Sequence, residues 1–457
     1  MAEHPLPAPA LARTAAVSIF QAGVAAADPY QAVLRCLSSN DQRLSIALNL
    51  SENAPTRTAA WPKIHVLAFG KAACAMAKAA QERIPAHCLA TPAIAVTNYE
   101  NVAAIPGIEV IGAGHPLPDS AGLAAAQRCA AHIALAQAGE LVLVLVSGGG
   151  SALLPYPAVG ISLEDKIATT QLLLASGATI NDINCVRKHL SQLKGGGLAR
   201  LALPADLHAL ILSDVLGDDL SSIASGHTVA DASTYHDAIA LLTAKNLWDK
   251  IPASVQQHLR LGQLGNIAET PKADDAAFIN NGYTLIGSNT LSLHACITAA
   301  AARGYDAKLY SQQLCGEAKT VAEQWVKDAI EVLATGIKQP TALLAGGETT
   351  VTVTGTGLGG RNQELALAFA IAAQQHGLSG AWTFLSGGTD GRDGPTDAAG
   401  GVVDHRTLAR LAAAGADPHA LLANNDAYHA LALAQDLLIT GATGTNVADL
   451  QILLLYP

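Results

Sequence analysis

The stretch from Leu141 to Ser151 reads Leu-Val-Leu-Val-Leu-Val-Ser-Gly-Gly-Gly-Ser. Its apolar run falls far short of the roughly 20 residues that a membrane-spanning helix needs. A short run without polar alternation instead describes a strand covered on both faces, as in a parallel sheet. Working outward, Ile64 to Phe69, Ile94 to Thr97, Glu109 to Gly112 and His208 to Ser213 have the same character, and alanine-rich helical stretches lie between them. That alternation predicts an α/β fold built on a doubly wound parallel sheet with helices on both faces. Each strand ends at Gly, Ser, Asn or Asp, on the edge where such sheets carry ligand loops.

Between Ala240 and Lys272 the pattern weakens, and a domain boundary is placed there, dividing residues 1–252 from residues 253–457. Beyond it, Thr284 to Ile286, Asp306 to Tyr310, Thr341 to Ala345, Thr349 to Thr354, Trp382 to Ser386 and Leu437 to Thr440 read as strands. Long helices are expected from Ser292, Thr320 and Arg361. Thr341 to Ala345 and Thr349 to Thr354 are too close for a crossover helix and are expected to form a hairpin. The second, smaller α/β domain therefore has a mixed sheet.

Length and composition fit this picture. The chain has 457 residues, 50% hydrophobic and only 4% aromatic, and its mean hydropathy of +0.28 comes from alanine. With 37 acidic against 27 basic residues, a net charge of −10 leaves no basic surplus for nucleic acid. The odd number of cysteines, 7, without a C-x-x-C pair, predicts reduced, buried thiols in a cytoplasmic protein rather than a disulfide framework or zinc ribbon. Ala15 to Ala27 is apolar but lacks a basic flank, with Glu3 and a single Arg13 before it. An amphipathic first helix broken near Asp28-Pro29 is expected, not an export signal. No membrane partner is expected, and the sequence leaves room for a homodimer.

The chemistry is carried by glycine clusters at strand ends. Ser147, Gly148, Gly149, Gly150 and Ser151 bring backbone N–H groups together before a helix start, which suits an anion such as phosphate. Gly70-Lys71 lacks the spacing of a Walker A loop, Gly149 to Leu153 lacks the last glycine of a nucleophile elbow, and the 15 histidines show no metal-ligand spacing. Gly355 to Gly360 satisfies G-x-G-x-x-G, but the next strand ends in Ser-Gly-Gly rather than the acidic residue that would hold a nicotinamide ribose. Lys71 follows a strand at the ligand edge, Arg361 opens a helix beside a glycine loop, and Lys194 precedes Gly195-Gly196-Gly197. All three are placed to meet phosphate or carboxylate, while Lys188 reads as a solvated helix residue. Asp214 and Asp218 end a strand and suit metal or base work. Asp390 and Asp393 suit magnesium bound to a nucleotide, although each also suits an Asx-turn. Glycine loops, scattered cations and loop aspartates together fit phosphoryl transfer.

These residues resemble the glycerate 2-kinases that carry a MOFRL C-terminal domain. The resemblance rests on Phe69-Gly70-Lys71-Ala72, Gly114-His115-Pro116, Ser147 to Leu153, Lys194 to Leu198, Ser213 to Asp219, Ile286 to Asn289, Gly346 to Thr349, Gly359 to Glu364, Ser386 to Gly400, Asn424-Asn425-Asp426 and Thr440 to Asp449. It implies a larger Rossmann-like N-terminal domain, a smaller C-terminal domain, and a site in the cleft between them. It also implies ATP-dependent phosphorylation of D-glycerate to 2-phosphoglycerate with Mg2+. By that resemblance Lys71 and Arg361 take part in catalysis or phosphate binding. The residues around them complete the expected site, with Asp214 as a further catalytic group, Ser147 to Ser151 and Lys194 for nucleotide phosphate, Glu348, Asn362 and Asn446 for substrate, and Asp218, Asp390 and Asp393 for metal. Asp214, Asp218 and Asp390 each suit either binding Mg2+ or accepting the proton of the 2-hydroxyl. Leu220, His227 and Ala442 stand where the pattern has proline, and Ala448 where it has asparagine. The rival readings are an NAD(P)H-dependent hydroxypyruvate reductase and a non-catalytic sugar-phosphate binding module.

Overall fold

The structure is a computed structural model that describes residues 9–51 and 53–457, so Glu3 lies outside the described residues. The chain divides into two compact units. One is Pro29–Ile286; the other joins residues 9–28 to Gly287–Pro457.

In the larger unit, strands Ile108–Ala113, Ala93–Asn98, Ile64–Phe69, Leu141–Val146, Asp206–Leu212 and Asn281–Gly287 lie side by side in that order. The first five are mutually parallel. In chain order this is 3-2-1-4-5-6, the doubly wound arrangement. All of Leu141–Val146 is buried, and the two-residue period of a strand explains how. Val142, Val144 and Val146 share a core with Ala125, Ala126 and Cys129 of helix Ser120–Ile133. Leu141, Leu143 and Leu145 share the opposite core with Met76, Ala77 and Ala80 of helix Ala73–Arg83. Small helix residues let both layers approach the sheet closely, which is why alanine dominates the composition. A helical subset, including Ile180–His189 and Tyr235–Ala244, packs around its own core.

The boundary between units falls at residues 286/287 rather than 252/253. Thr284 to Ile286, expected in the second domain, belongs to the sixth strand of the first sheet. Leu207 N–H donates to Asn280 O at 3.1 Å, His208 Nε2 lies 3.0 Å from Thr284 Oγ1, and Ile286 shares a core with Leu210. Conversely, helix Pro9–Ala26 belongs to the smaller unit. Its Ala12, Ala16, Ile19 and Phe20 recur at helical spacing and pack with Leu293, Leu344 and Ile452. Among the described residues no single helix is long and apolar enough to cross a membrane. Five cysteines are buried as expected, but Cys185 is half-buried and Cys315 exposed.

The smaller unit holds a mixed sheet in the order Asp306–Glu317, Thr341–Thr350, Asp449–Leu455, Trp382–Gly388, Gly400–Asp404, Leu437–Leu438. Only the first pair is parallel. The expected hairpin is absent: Thr341–Thr350 is one strand that runs straight through Gly346-Gly347. Those glycines answer a close approach rather than a turn, since a Cβ on Gly347 would lie 2.2 Å from Leu314 O on the bulged neighbouring strand. The buried central strand Asp449–Leu455 has no counterpart among the sequence expectations. Gly347→Ala is expected to lower stability by about 1–3 kcal/mol. Urea denaturation checks this, and a change under 0.5 kcal/mol would contradict the close-approach argument.

Candidate active site

The order of the larger sheet reverses between Ile64–Phe69 and Leu141–Val146, and a doubly wound sheet binds ligands at the carboxyl ends of such a pair. Those ends are Gly70-Lys71 and Ser147 to Ser151. Ser147 locks them together: its N–H donates to Phe69 O at 3.0 Å, its Oγ accepts from Ala72 N–H at 3.0 Å, and Lys71 N–H donates to Gly148 O at 2.9 Å. Thr97 Oγ1 and Asn101 Nδ2 both donate to Lys71 O. The backbone of Lys71 is thus fixed on both sides, while its half-buried side chain has no carboxylate or hydrogen-bond partner among the described residues.

Gly149 adopts a left-handed φ of +83°, and a Cβ there would lie 3.1 Å from the His115 ring and 3.3 Å from Lys71 Cγ. A Cβ on Gly148 would lie 2.3 Å from Asp214 Oδ2. Lys71, His115 and Asp214 therefore surround the glycine loop. The amides of Gly148 and Gly149 have no acceptor among the described residues. Burial raises the Asp214 pKa above 3.8, and the Lys71 charge opposes it. Burial and Lys71 together lower the pKa of His115. Asp218, half-buried at a left-handed φ of 54°, has a carboxylate with no partner among the described residues. Lys194 is 1% exposed and its Nζ donates to Ser151 O at 2.8 Å and Oγ at 3.2 Å.

In the smaller unit Arg361 begins the buried helix Arg361–His376. Its Nε and Nη2 donate to the two carboxylate oxygens of Asp449 at 2.6 and 2.9 Å, and Nη1 lies 2.7 Å from Glu348 Oε1. Burial opposes the charge of Arg361, but Asp449 and Glu348 outweigh it and raise the guanidinium's pKa overall. Asp449 is completely buried, paired in register with both Gly347 and Gly388, so the sheet centre dictates where Arg361 sits.

The G-x-G-x-x-G loop beside Arg361 differs from Ser147–Ser151. Asn425 Oδ1 accepts from Thr354 and Gly355 N–H, Asn424 Oδ1 from Thr356 N–H, and Asp426 Oδ1 from Leu358 N–H, all at 2.8–3.0 Å. Those amides are occupied by the protein's own side chains.

Residues 15–260 match a family described as a domain of unknown function, DUF4147, and residues 341–449 match the MOFRL family. Glycerate 2-kinase from Pyrococcus horikoshii is 40% identical over 434 residues, 94% of each chain. The chain belongs to the MOFRL-domain glycerate 2-kinase family. The crystal structure of a glycerate kinase (EC 2.7.1.31) from Thermotoga maritima superposes with a TM-score of 0.84 at 38% identity, covering 97% of this chain and 99% of that one. A relative from Agrobacterium vitis, 39% identical over 441 residues (96% of this chain and 93% of its own), carries the name hydroxypyruvate reductase.

Of the residues expected at the site, the structure gathers Lys71, Asp214 and Ser147 to Ser151 in one unit, with Lys194 bonded to Ser151 and Asp218 unpartnered among the described residues, and Arg361 with Glu348 in the other. Asn362, Asn446, Asp390 and Asp393 instead bond to neighbouring groups of the protein. The Asp393 carboxylate is buried and caps the Arg361 helix by accepting from Asn362 and Gln363 N–H at 3.2 and 2.8 Å. Asn362 is also buried, with Oδ1 accepting from Ser386 Oγ at 2.6 Å and Nδ2 reaching Asp393 Oδ1 at 3.4 Å. Asp390 makes an Asx-turn to Arg392 N–H at 3.0 Å, and Asn446 accepts from Ala448 N–H at 3.2 Å. No group of three or more His, Cys, Asp or Glu among the described residues forms a metal centre. Two contributors, His115 and Asp449, escape a reading by spacing alone; both nevertheless lie in strings that the family pattern contains. Asp449→Asn, which keeps the shape but loses the charge that orients Arg361, is expected to reduce kcat by about 10-fold or more with little change in Tm. Steady-state kinetics beside a thermal melt checks this, and unchanged kcat would remove Asp449 from the site.

Proposed function

We propose that this chain transfers the terminal phosphoryl group of ATP to the 2-hydroxyl of D-glycerate, giving 2-phosphoglycerate. The observation that carries the reading is the contrast between the glycine loops. Ser147–Ser151 keeps the amides of Gly148 and Gly149 without an acceptor among the described residues, beside a lysine with none, whereas Gly355 to Leu358 have committed their amides to Asn424, Asn425 and Asp426. Phosphoryl transfer asks for convergent donors and cations more than for covalent machinery, and the first loop supplies both. The nucleotide phosphates lie against Ser147–Ser151, Lys71 neutralises the transferring group, and Asp214, beside Lys71, accepts the proton of the 2-hydroxyl; Arg361 supplies a second cation for phosphate or carboxylate. Glu348 orients Arg361 for this. Mg2+ supplies further neutralisation of phosphate charge when bound, and the unpartnered carboxylate of Asp218 would hold it together with phosphate oxygens.

The occupied amides of Gly355 to Leu358 weigh against nicotinamide binding there. A coupled assay decides: ADP formation with D-glycerate, with phosphorus on carbon 2 by NMR, is expected. NAD(P)H oxidation with hydroxypyruvate and no ADP would overturn the reading in favour of a reductase. Phosphosugar binding without any turnover would overturn it in favour of a binding module.

Lys71→Ala and Arg361→Ala are each expected to lower kcat by about 100-fold or more. If both act on one phosphoryl group, the double variant loses less than the product of the single losses. Fully multiplicative losses would separate their roles. Because the pKa of Asp214 is raised, its proton-accepting form is lost as pH falls through a value above 3.8. The acid limb of the kcat/KM profile is therefore expected above the ordinary carboxylate value and absent from the residual activity of Asp214→Asn. An unchanged limb in that variant would assign it to another group.

A further inference from the structure

The larger unit buries a group of cations that no carboxylate balances. Among the described residues Lys166, 4% exposed, donates only to Leu190 O at 2.8 Å, and Lys194 only to Ser151. Arg187 is half-buried and has neither a carboxylate nor a hydrogen-bond partner among the described residues. By contrast the neighbouring Lys188 pairs with Asp231 at 3.3 Å. Burying a charge without a counter-charge is costly, and here like charges also face one another. Burial, with the charges of Lys166 and Arg187, holds Lys194 well below the usual lysine range, and burial lowers Arg187.

Geometry ties this group to the glycine loop. Ser151 Oγ lies 2.8 Å from Ser225 Oγ, which donates to Asn184 Oδ1 at 2.9 Å. Asn184 is 3% exposed and its Nδ2 has no acceptor among the described residues. Arg187 stands one turn further along the same helix, Ile180–His189, and so shares the face of Asn184. A run of donors therefore leads from the free amides of Gly148 and Gly149 through Ser151 to Asn184 and Arg187, with Lys194 behind it. Each of Ser151, Asn184, Arg187 and Lys194 carries a donor, and none of them bonds a carboxylate among the described residues.

We propose that Arg187, Ser151 and Lys194, with Asn184, form a phosphate-binding pocket that continues the Ser147–Ser151 loop. The ligand class is a tetrahedral phosphate group, borne either by the nucleotide or by the phosphorylated product. The planar fork of Arg187 takes two of its oxygens, and the bound dianion supplies the missing counter-charge. The pocket deepens the kinase reading, which is used only to name where the phosphate comes from.

The test follows thermal stability with inorganic phosphate as probe, then calorimetry with ADP, 2-phosphoglycerate and D-glycerate. Without ligand, Arg187→Gln is expected to melt no lower than wild type, because an unpaired charge is removed from among like charges. It is also expected to lose the rise in Tm that phosphate gives the wild type, and Arg187→Lys should keep part of that rise. Affinity for ADP, for 2-phosphoglycerate or for both falls about 10- to 100-fold in Arg187→Gln while D-glycerate is unaffected. A loss confined to ADP assigns the nucleotide's phosphate, and one confined to 2-phosphoglycerate the product's. The proposal is overturned if Arg187→Gln keeps wild-type phosphate binding, or if only D-glycerate weakens. Phosphate binding that depends on Arg187 in a chain forming no ADP from D-glycerate would sink the kinase reading and leave the pocket standing.

Discussion

The hydrogen bonds of Ser147 hold the carboxyl-terminal edge of the larger unit's sheet together. Two parallel strands end side by side where the sheet order reverses, and each must surrender its ladder to a loop. Ser147 bridges the two departures by donating to Phe69 O and accepting from Ala72 N–H. Lys71 and the glycine loop consequently emerge as one rigid edge. The amides of Gly148 and Gly149 stay free because the neighbouring backbone groups have already found partners. Both faces of the sheet are sealed by closely packed alanine helices, so this edge is where function can be built.

The smaller unit solves a different problem, that of holding a guanidinium in place. Asp449 lies at the start of the central strand, wholly buried, and grips Arg361 with both oxygens. The helix behind Arg361 is buried nearly all round, and its first amides are capped in trans by Asp393. The glycine loop in front is stitched by Asn424, Asn425 and Asp426. These polar residues bond to the loop's own amides and convert a flexible loop into a fixed mount for one cation.

That difference explains what the sequence disclosed. The parallel sheet was legible because strands buried on both faces, such as Leu141–Val146, leave unbroken apolar runs, and the loops at its edge follow from the glycines after them. Arg361–His376 was legible from a glycine loop followed by a long apolar helix. The hairpin across Gly346-Gly347 was not, because glycine required by the close backbone of Leu314 looks identical to glycine required by a turn. Thr284 to Ile286 was assigned to the wrong unit because the side of a boundary on which a strand falls is decided by long-range pairing, here with Asp206–Leu212. The contacts of Asp393 with the start of Arg361–His376, and of Asn362 with Ser386, were not legible, because a carboxylate that caps a distant helix and one that holds a metal share the same local sequence.

The central claim is that phosphate is received by the Ser147–Ser151 loop and not by the G-x-G-x-x-G loop. Amide spectra of protein labelled with 15N at glycine, recorded during titration with a non-hydrolysable ATP analogue, test it most directly. The account predicts that Gly148 and Gly149 shift while Gly355 and Gly357, whose amides are already bonded, hold still. Shifts at Gly355 and Gly357 with Gly148 and Gly149 unmoved would contradict it.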